Sequence, residues 1–284
     1  MRAYAVPRSL RFAYLVLLAA ISFSVWGQEP QLEVSDGVSS KQWSRSALLA
    51  ESVPIQIDKD SAYKRSMTYR AVAFAKLMPM LMTKTAANTS VQFVALDGFV
   101  ANIAAADLVG KGQPYLAIET DQQPWPAIDP NNPAKTASAG PFYLVWLNPE
   151  AGKISNEQWP YQVVKIRVEL PLQQRFQQII PSPKLSKNYQ QAMQGMQIYI
   201  KNCAVCHSMN GGGDAAIGPD LNQPFSPTEY FHQAFLRKLI RNPAAVRNWK
   251  QALMPGFDHQ SISESDLDAL LVYFKHMAAL RRMK

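Results

Sequence analysis

Cys203-Ala204-Val205-Cys206-His207 decides how this chain is read, because it holds both cysteines and one of the four histidines in a sequence of 284 residues. The C-x-x-C-H spacing is that of c-type haem attachment. One turn of chain offers two thiols to the vinyl groups of a porphyrin, to be joined as thioethers. The adjacent histidine is then set beneath the ring, within reach of iron. A thiol–disulfide pair of similar spacing follows a strand in an α/β domain, whereas helical patterns flank this motif on both sides. A structural zinc would need further ligands, and only His232, His259 and His276 are left to supply them.

Upstream of the motif, Tyr189, Ala192, Met193, Met196, Tyr199 and Ile200 fall on one helical face. Downstream, Ser263 and Asp266 have capping-box spacing and precede an apolar stripe of Leu267, Leu270, Leu271, Phe274 and Ala278. Arg281, Arg282 and Lys284 follow, placing positive charge at the negative end of the helix dipole. Between these helices stand Gly218-Pro219-Asp220-Leu221 and Met254-Pro255-Gly256-Phe257.

With Gly195, Tyr199 and Tyr273, these motifs come in an order that resembles the class I cytochrome c family over residues 187–280. The resemblance implies an all-α fold and one covalent haem c anchored by Cys203 and Cys206. It implies iron ligation by His207 and Met254, a Pro219 carbonyl that orients His207, and contact of Gly195 with Tyr273. A hydrogen bond to the second imidazole nitrogen would fix the tautomer and orientation of the ligating one. Met254 lies 47 residues after His207; His259 and then His232 are its rivals as sixth ligand. Met209 is too close in sequence to reach the opposite haem face, and Met277 falls in the C-terminal helix. A site closed by histidine and methionine leaves no position for substrate, which implies electron transfer and no enzyme activity.

Pro181-Ser182-Pro183-Lys184 disfavours helix and marks a boundary. The expected layout is a strand-rich α+β domain at 28–180, a linker at 181–186 and a cytochrome c domain at 187–284. In the first domain strands are expected at 52–57, 115–119, 142–147 and 163–170, and an apolar helix at 69–82. Two alternating runs around Val91, Phe93 and Ala95 and around Phe99, Ala101 and Ile103 flank Asp97-Gly98, a hairpin signal in which both turn residues take positive φ. Residues 121–141 are expected to form a long surface loop.

Tyr69-Arg70-Ala71-Val72 opening a helix, Leu96-Asp97-Gly98-Phe99, Tyr115-Leu116-Ala117-Ile118-Glu119 and Gly140-Pro141-Phe142-Tyr143-Leu144-Val145 resemble the molybdopterin-binding domain of sulfite-oxidase-like oxidoreductases. That family ligates molybdenum through a cysteine, and this domain contains neither cysteine nor histidine. The resemblance therefore implies a degenerate relative without the metal chemistry. Acids such as Asp97, Asp107 and Glu119 stand at strand ends, where carboxylates are common without catalytic duty.

Hydrophobic residues make up 48 % of the chain and charged ones 18 %, enough apolar material for packed cores and against a disordered polymer. Arg2, Arg8 and Arg11 precede a 15-residue apolar run from 12 to 26. That is short of the roughly 18 residues a membrane span needs, so residues 1–27 read as a secretory signal, with an uncleaved anchor as the alternative. Export to a periplasm fits covalent haem attachment. Of the net charge of +8, three arginines belong to this segment, and the remaining +5 lies mostly beyond residue 184. Arg237, Lys238, Arg241, Arg247 and Lys250 form the densest basic cluster, suited to an acidic docking surface on a redox partner or to a solvated helix face. No nucleic-acid motif accompanies this charge. The leading expectation is an exported monohaem cytochrome that exchanges single electrons with a periplasmic redox partner and takes no small-molecule substrate, its N-terminal domain serving to dock. The alternatives are a molybdenum-dependent dehydrogenase with a built-in haem acceptor, and a haem peroxidase or sensor.

Overall fold

The computed structural model describes residues 29–81, 89–130, 137–185, 187–215, 217–247 and 253–283. The expected export signal, Met82, Lys250 and Lys284 lie outside them. Among the described residues no helix is long and apolar enough to cross a membrane. Gln31–Lys284 form one compact unit.

The strand-rich half contains β1 (Gln31–Ser35), β2 (Ser40–Ser44), β3 (Val53–Ile57), β4 (Met67–Ala73), β5 (Ser90–Ala95), β6 (Val100–Ala104), β7 (Pro114–Thr120), β8 (Tyr143–Trp146) and β9 (Val163–Glu169). They form a five-stranded sheet in the order β2-β1-β9-β5-β6 and a four-stranded sheet in the order β3-β4-β7-β8. The pairing of β1 with β9 is parallel and joins the two ends of this half; the other pairings are antiparallel. Both sheets bury their apolar faces in one core, where Phe74 and Phe93 meet with ring centroids 5.5 Å apart.

The helix expected at 69–82 is a strand up to Ala73 and a helix only from Phe74. Met67, Tyr69 and Ala71 are buried while Thr68 and Arg70 are half-exposed, a period of two that governs this stretch. The stretch Tyr69-Arg70-Ala71-Val72 taken to open a helix therefore lies inside β4, between β3 and β7. The hairpin at Asp97-Gly98 pairs β5 with β6, but only Gly98 takes a positive φ, at 88°. Asp97 instead accepts a hydrogen bond from Phe99 N through its carboxylate at 3.0 Å, closing the turn with its side chain. The described ends of the stretch 121–141 are pinned to the sheet half: Tyr63 donates through its hydroxyl to Pro126 O and accepts from Ala139 N.

In the helical half, α1 (Arg45–Ala50) and α2 (Phe74–Leu81) being part of the strand-rich one, the framework is α3 (Tyr189–Asn202), α4 (Gln233–Arg241) and α5 (Glu264–Arg282). Ser263 caps α5 by accepting from Asp266 N at 3.1 Å. Met196, Tyr199, Leu267, Leu270, Tyr273 and Phe274 form its core. α3 crosses α5 at Gly195, where a Cβ would come within 2.0 Å of Ala269 O and 2.7 Å of Tyr273 Cβ. Only glycine lets the two helix backbones approach this closely.

The proline-rich boundary is docked rather than free. Ile179 is fully buried in the helical core, Tyr273 donates its hydroxyl to Ile179 O at 2.8 Å, and Ser182 N donates to His276 Nε2 at 3.1 Å. The two halves meet through a charged lock. Asp214, which follows the haem motif, accepts both Arg175 Nη1 and Nη2 at 2.6 Å, and the two side chains are only 11 % and 16 % exposed. Asp214 also accepts from Gln92 Nε2 at 2.7 Å and Asn102 Nδ2 at 3.3 Å, and Arg167 donates to Gln92 Oε1 at 2.7 Å. Gln92 is fully buried for this reason: the second face of β5 is covered by the helical half. Asp214→Ala leaves Arg175 without its charge partner and should lower stability by about 3 kcal/mol, measured as a fall in the urea midpoint.

Candidate metal centre

The last turn of α3 runs straight into the cysteine motif. Cys203 N and Ala204 N both donate to Tyr199 O at 2.8 Å, and Cys206 N and His207 N donate to Cys203 O at 3.0 and 2.8 Å. This tight turn presents the two thiols and the imidazole from one short segment. Tyr199 donates its hydroxyl to His207 O, and Gly218 N donates to Cys206 O, each at 2.8 Å. Asp220 binds the loop from within, accepting from Ser208 Oγ at 2.9 Å and from the backbone amides of Asn210, Gly211, Asn222 and Gln223 at 3.2, 2.7, 2.7 and 2.8 Å.

His207 Nδ1 lies 2.7 Å from Pro219 O. A carbonyl can only accept, so the imidazole carries its proton on Nδ1 and keeps the Nε2 lone pair for a metal. Burial lowers the pKa of this ring, against the opposing effects of the Pro219 hydrogen bond and Asp220. The ring lies against Gly218, where a Cβ would stand 2.3 Å from His207 Cε1. Cys203 and Cys206 are half-buried and not joined in a disulfide. Burial first, and the charge of Glu157 second, push both thiols up to about 12. Thiol–disulfide chemistry needs a thiolate, so the pair is poorly suited to it.

Met254 is half-buried at the rim of the helical core, together with Leu221, Phe231 and Leu239. The loop that carries it is fastened at its far end: Phe257 N donates to Ile240 O at 3.0 Å, and Arg241 Nη1 donates to the carbonyls of Phe257, Asp258 and Ile262 at 3.0, 3.0 and 2.6 Å. The other candidate ligands have different surroundings. His259 is exposed with Nδ1 3.2 Å from Glu264 Oε1, and His232 Nδ1 caps α4 by accepting from Ala234 N at 3.4 Å. Met209 and Met277 are buried in the helical core.

Two thiols, an imidazole oriented by Pro219, a glycine that leaves room only for that ring, and a thioether on an apolar rim fit a covalently held haem. Cys203, Cys206, His207 and Pro219 belong to one hydrogen-bonded knot, with Met254 on the same core. Two members of the basic cluster expected to face a partner are engaged internally. Arg237 pairs with Asp268 and Glu264, and Arg241 Nη2 donates to Glu264 Oε1 at 2.7 Å. Asp220 is named in the sequence only as part of Gly218-Pro219-Asp220-Leu221 and Arg241 only as a member of the basic cluster, and neither is given a part in holding the site. Asp220 had a signal in its place beside Gly218-Pro219, whereas Arg241 looked like surface charge.

Residues 192–278 match the family model described as Cytochrome c. No protein with a curated description matches the chain. This stretch is a cytochrome c domain, which implies covalently attached haem c and supports a haem-based electron carrier. Gly218→Ala should press on the His207 ring and lower the haem absorbance per chain of the purified protein several-fold, while Gly211→Ala, which strains the left-handed backbone of the same loop (φ 73°) without crowding the ring, should lower it less and so separates pressure on the ring from a general loop effect.

Proposed function

We propose that the chain is an exported monohaem cytochrome that exchanges single electrons with a redox protein outside the cytoplasm and performs no substrate chemistry of its own. Cys203 and Cys206 would hold the haem as thioethers, and His207 and Met254 would ligate its iron. The bound haem supplies a one-electron ferric–ferrous couple. Pro219 keeps the His207 lone pair aimed, and Asp220 and Tyr199 keep the motif from shifting between the two charge states. A thioether favours the ferrous state and raises the reduction potential. With both faces taken, no coordination position is left for a reactant. The observation that carries this reading is the 2.7 Å contact between His207 Nδ1 and Pro219 O, which leaves Nε2 as the ligating atom.

In this reading the strand-rich half is a docking module fixed to the carrier by the network in which Gln92 and Asn102 of the sheet bond to Asp214 and Arg175. The motifs that resemble a molybdopterin-binding domain come without metal ligands, since neither cysteine nor histidine occurs before residue 203. The acidic partner is met by lysines rather than by the arginines of α4. Lys184, Lys187 and Lys275 line a groove with His276 and no acidic side chain. Export rests on the basic and apolar pattern of residues 1–27.

The purified ferric protein should show the methionine-to-iron charge-transfer band, and Met254→Ala should lose it and let carbon monoxide bind the reduced protein. A wild type without the band, or one that binds carbon monoxide undenatured, overturns the ligand assignment and favours a peroxidase or sensor. Metal analysis of the same sample should give iron, and stoichiometric molybdenum would restore the dehydrogenase reading.

A further inference from the structure

A groove runs between the segment that leads into α3 and the face of α5 that carries Lys275 and His276. His276, only 6 % exposed, is the one buried residue among those that line it. Its Nε2 lies 3.1 Å from Ser182 N. An amide can only donate, so Nε2 is the acceptor and the ring carries its proton on Nδ1. Among the described residues that Nδ1 donor has no acceptor. Burial lowers the pKa of the ring, which keeps it neutral at neutral pH. The same contact fixes the opposite wall: Lys184 N donates to Ser182 Oγ at 3.3 Å and Leu185 N to Ser182 O at 3.1 Å.

Asn188, which also lines the groove, stands before the first turn of α3 with φ 63°, and its side chain caps nothing. Ala192 N donates to Asn188 O at 2.9 Å, but the amides of Tyr189, Gln190 and Gln191 have no acceptor among the described residues. The first turn carries no acidic side chain. Open amides at the positive end of a helix dipole favour an anion. The Tyr189 and His276 ring centroids are 6.5 Å apart, so the open helix end and the unpartnered donor belong to one place. Lys184, Lys187 and Lys275 are exposed along the groove without an acidic partner among the described residues. Lys275 donates to the neutral Gln233 Oε1 at 2.9 Å, and Asp268, further back on α5, is taken by Arg237.

We propose that this groove seats an acidic segment of the redox partner, one carboxylate entering at His276 Nδ1 and the open end of α3 while its neighbours meet Lys184, Lys187 and Lys275. The inference rests on the reading of the chain as an electron carrier with an acidic partner, and it gives that partner a definite seat. A protein segment fits better than a small oxyanion for two reasons. The lysines are spaced along the groove and match a row of negative charges. They are also flexible point charges, whereas a lone oxyanion is best gripped by the planar fork of arginine, and among the described residues no arginine lines the groove. The lysines steer the encounter, and the buried donor sets its register.

The haem-loaded protein should bind a fluorescein-labelled polyglutamate peptide at low salt, and added salt should weaken the complex. Lys187→Glu and Lys275→Glu should each weaken it by about tenfold or more, and Lys111→Glu, the same change of charge at an exposed site in the strand-rich half, by no more than about twofold. Equal losses in all three reduce the binding to net charge and overturn the proposal. In the reduced wild type the His276 ring resonances should shift as peptide is added, while those of the exposed His259 stay in place. An unmoved His276 overturns the seat, and this readout decides where a variant fails to mature. Inorganic phosphate that displaces the peptide and shifts His276 equally assigns the groove to a small anion and overturns the choice of occupant. A holoprotein that shows its methionine-to-iron band but binds no peptide overturns the proposal and leaves the electron-carrier reading standing. Absence of covalent haem overturns the carrier reading itself, and this proposal with it.

Discussion

The hydrogen bond from His207 Nδ1 to Pro219 O is the constraint on which the site depends. An imidazole ligates through one nitrogen only when the other is told where its proton goes. Pro219 supplies that instruction through its backbone carbonyl. Gly218 removes the side chain that would displace the ring. Asp220 gathers four amides and a hydroxyl to hold the turn in place. Three consecutive residues thus perform three tasks: spacing, orientation and fastening.

A cofactor that must accept and lose an electron rapidly is best held by groups that do not move between the two states. The helical half meets that need by anchoring the motif at both ends. Tyr199, inside α3, reaches forward to His207 O, and its ring lies 5.5 Å from that of Tyr273 on α5. The close crossing at Gly195 makes α3 and α5 a rigid pair. Arg241 ties the end of the Met254 loop to α4 and to the start of α5 through Glu264. The arginines of α4 are therefore better understood as framework than as a lure for a partner, and their exposed neighbours carry whatever steering field remains.

Much of the helical half was legible in the sequence, because its information is local. C-x-x-C-H, the Ser263 cap and the apolar stripe of α5 each lie within a few turns of chain. The strand-rich half was less legible, because its decisive contacts are remote. Gln92 is a polar residue between the apolar Val91 and Phe93 of an alternating run, yet it is buried against Asp214, 122 positions away. The alternation of β4 was hidden by the apolar residues of α2 that follow without a break, so a strand and a helix merged into one expected helix. β1 and β2 carry few apolar residues, and β1 finds its place only by parallel pairing with β9.

The seam changes what the strand-rich half can be. A docking module on a flexible tether would leave the electrostatics of the cofactor to the helical half alone. Here the halves share a buried charged network, and the second cysteine of the motif packs on the core of the sheets. Reduction potentials respond to net charge, hydrogen bonding and solvent exposure near the cofactor. By packing on Cys206, the sheets take a share in setting these quantities. A tether would let that cover open to solvent; the network in which Asp214 accepts from Gln92 and Asn102 of the sheet holds it closed.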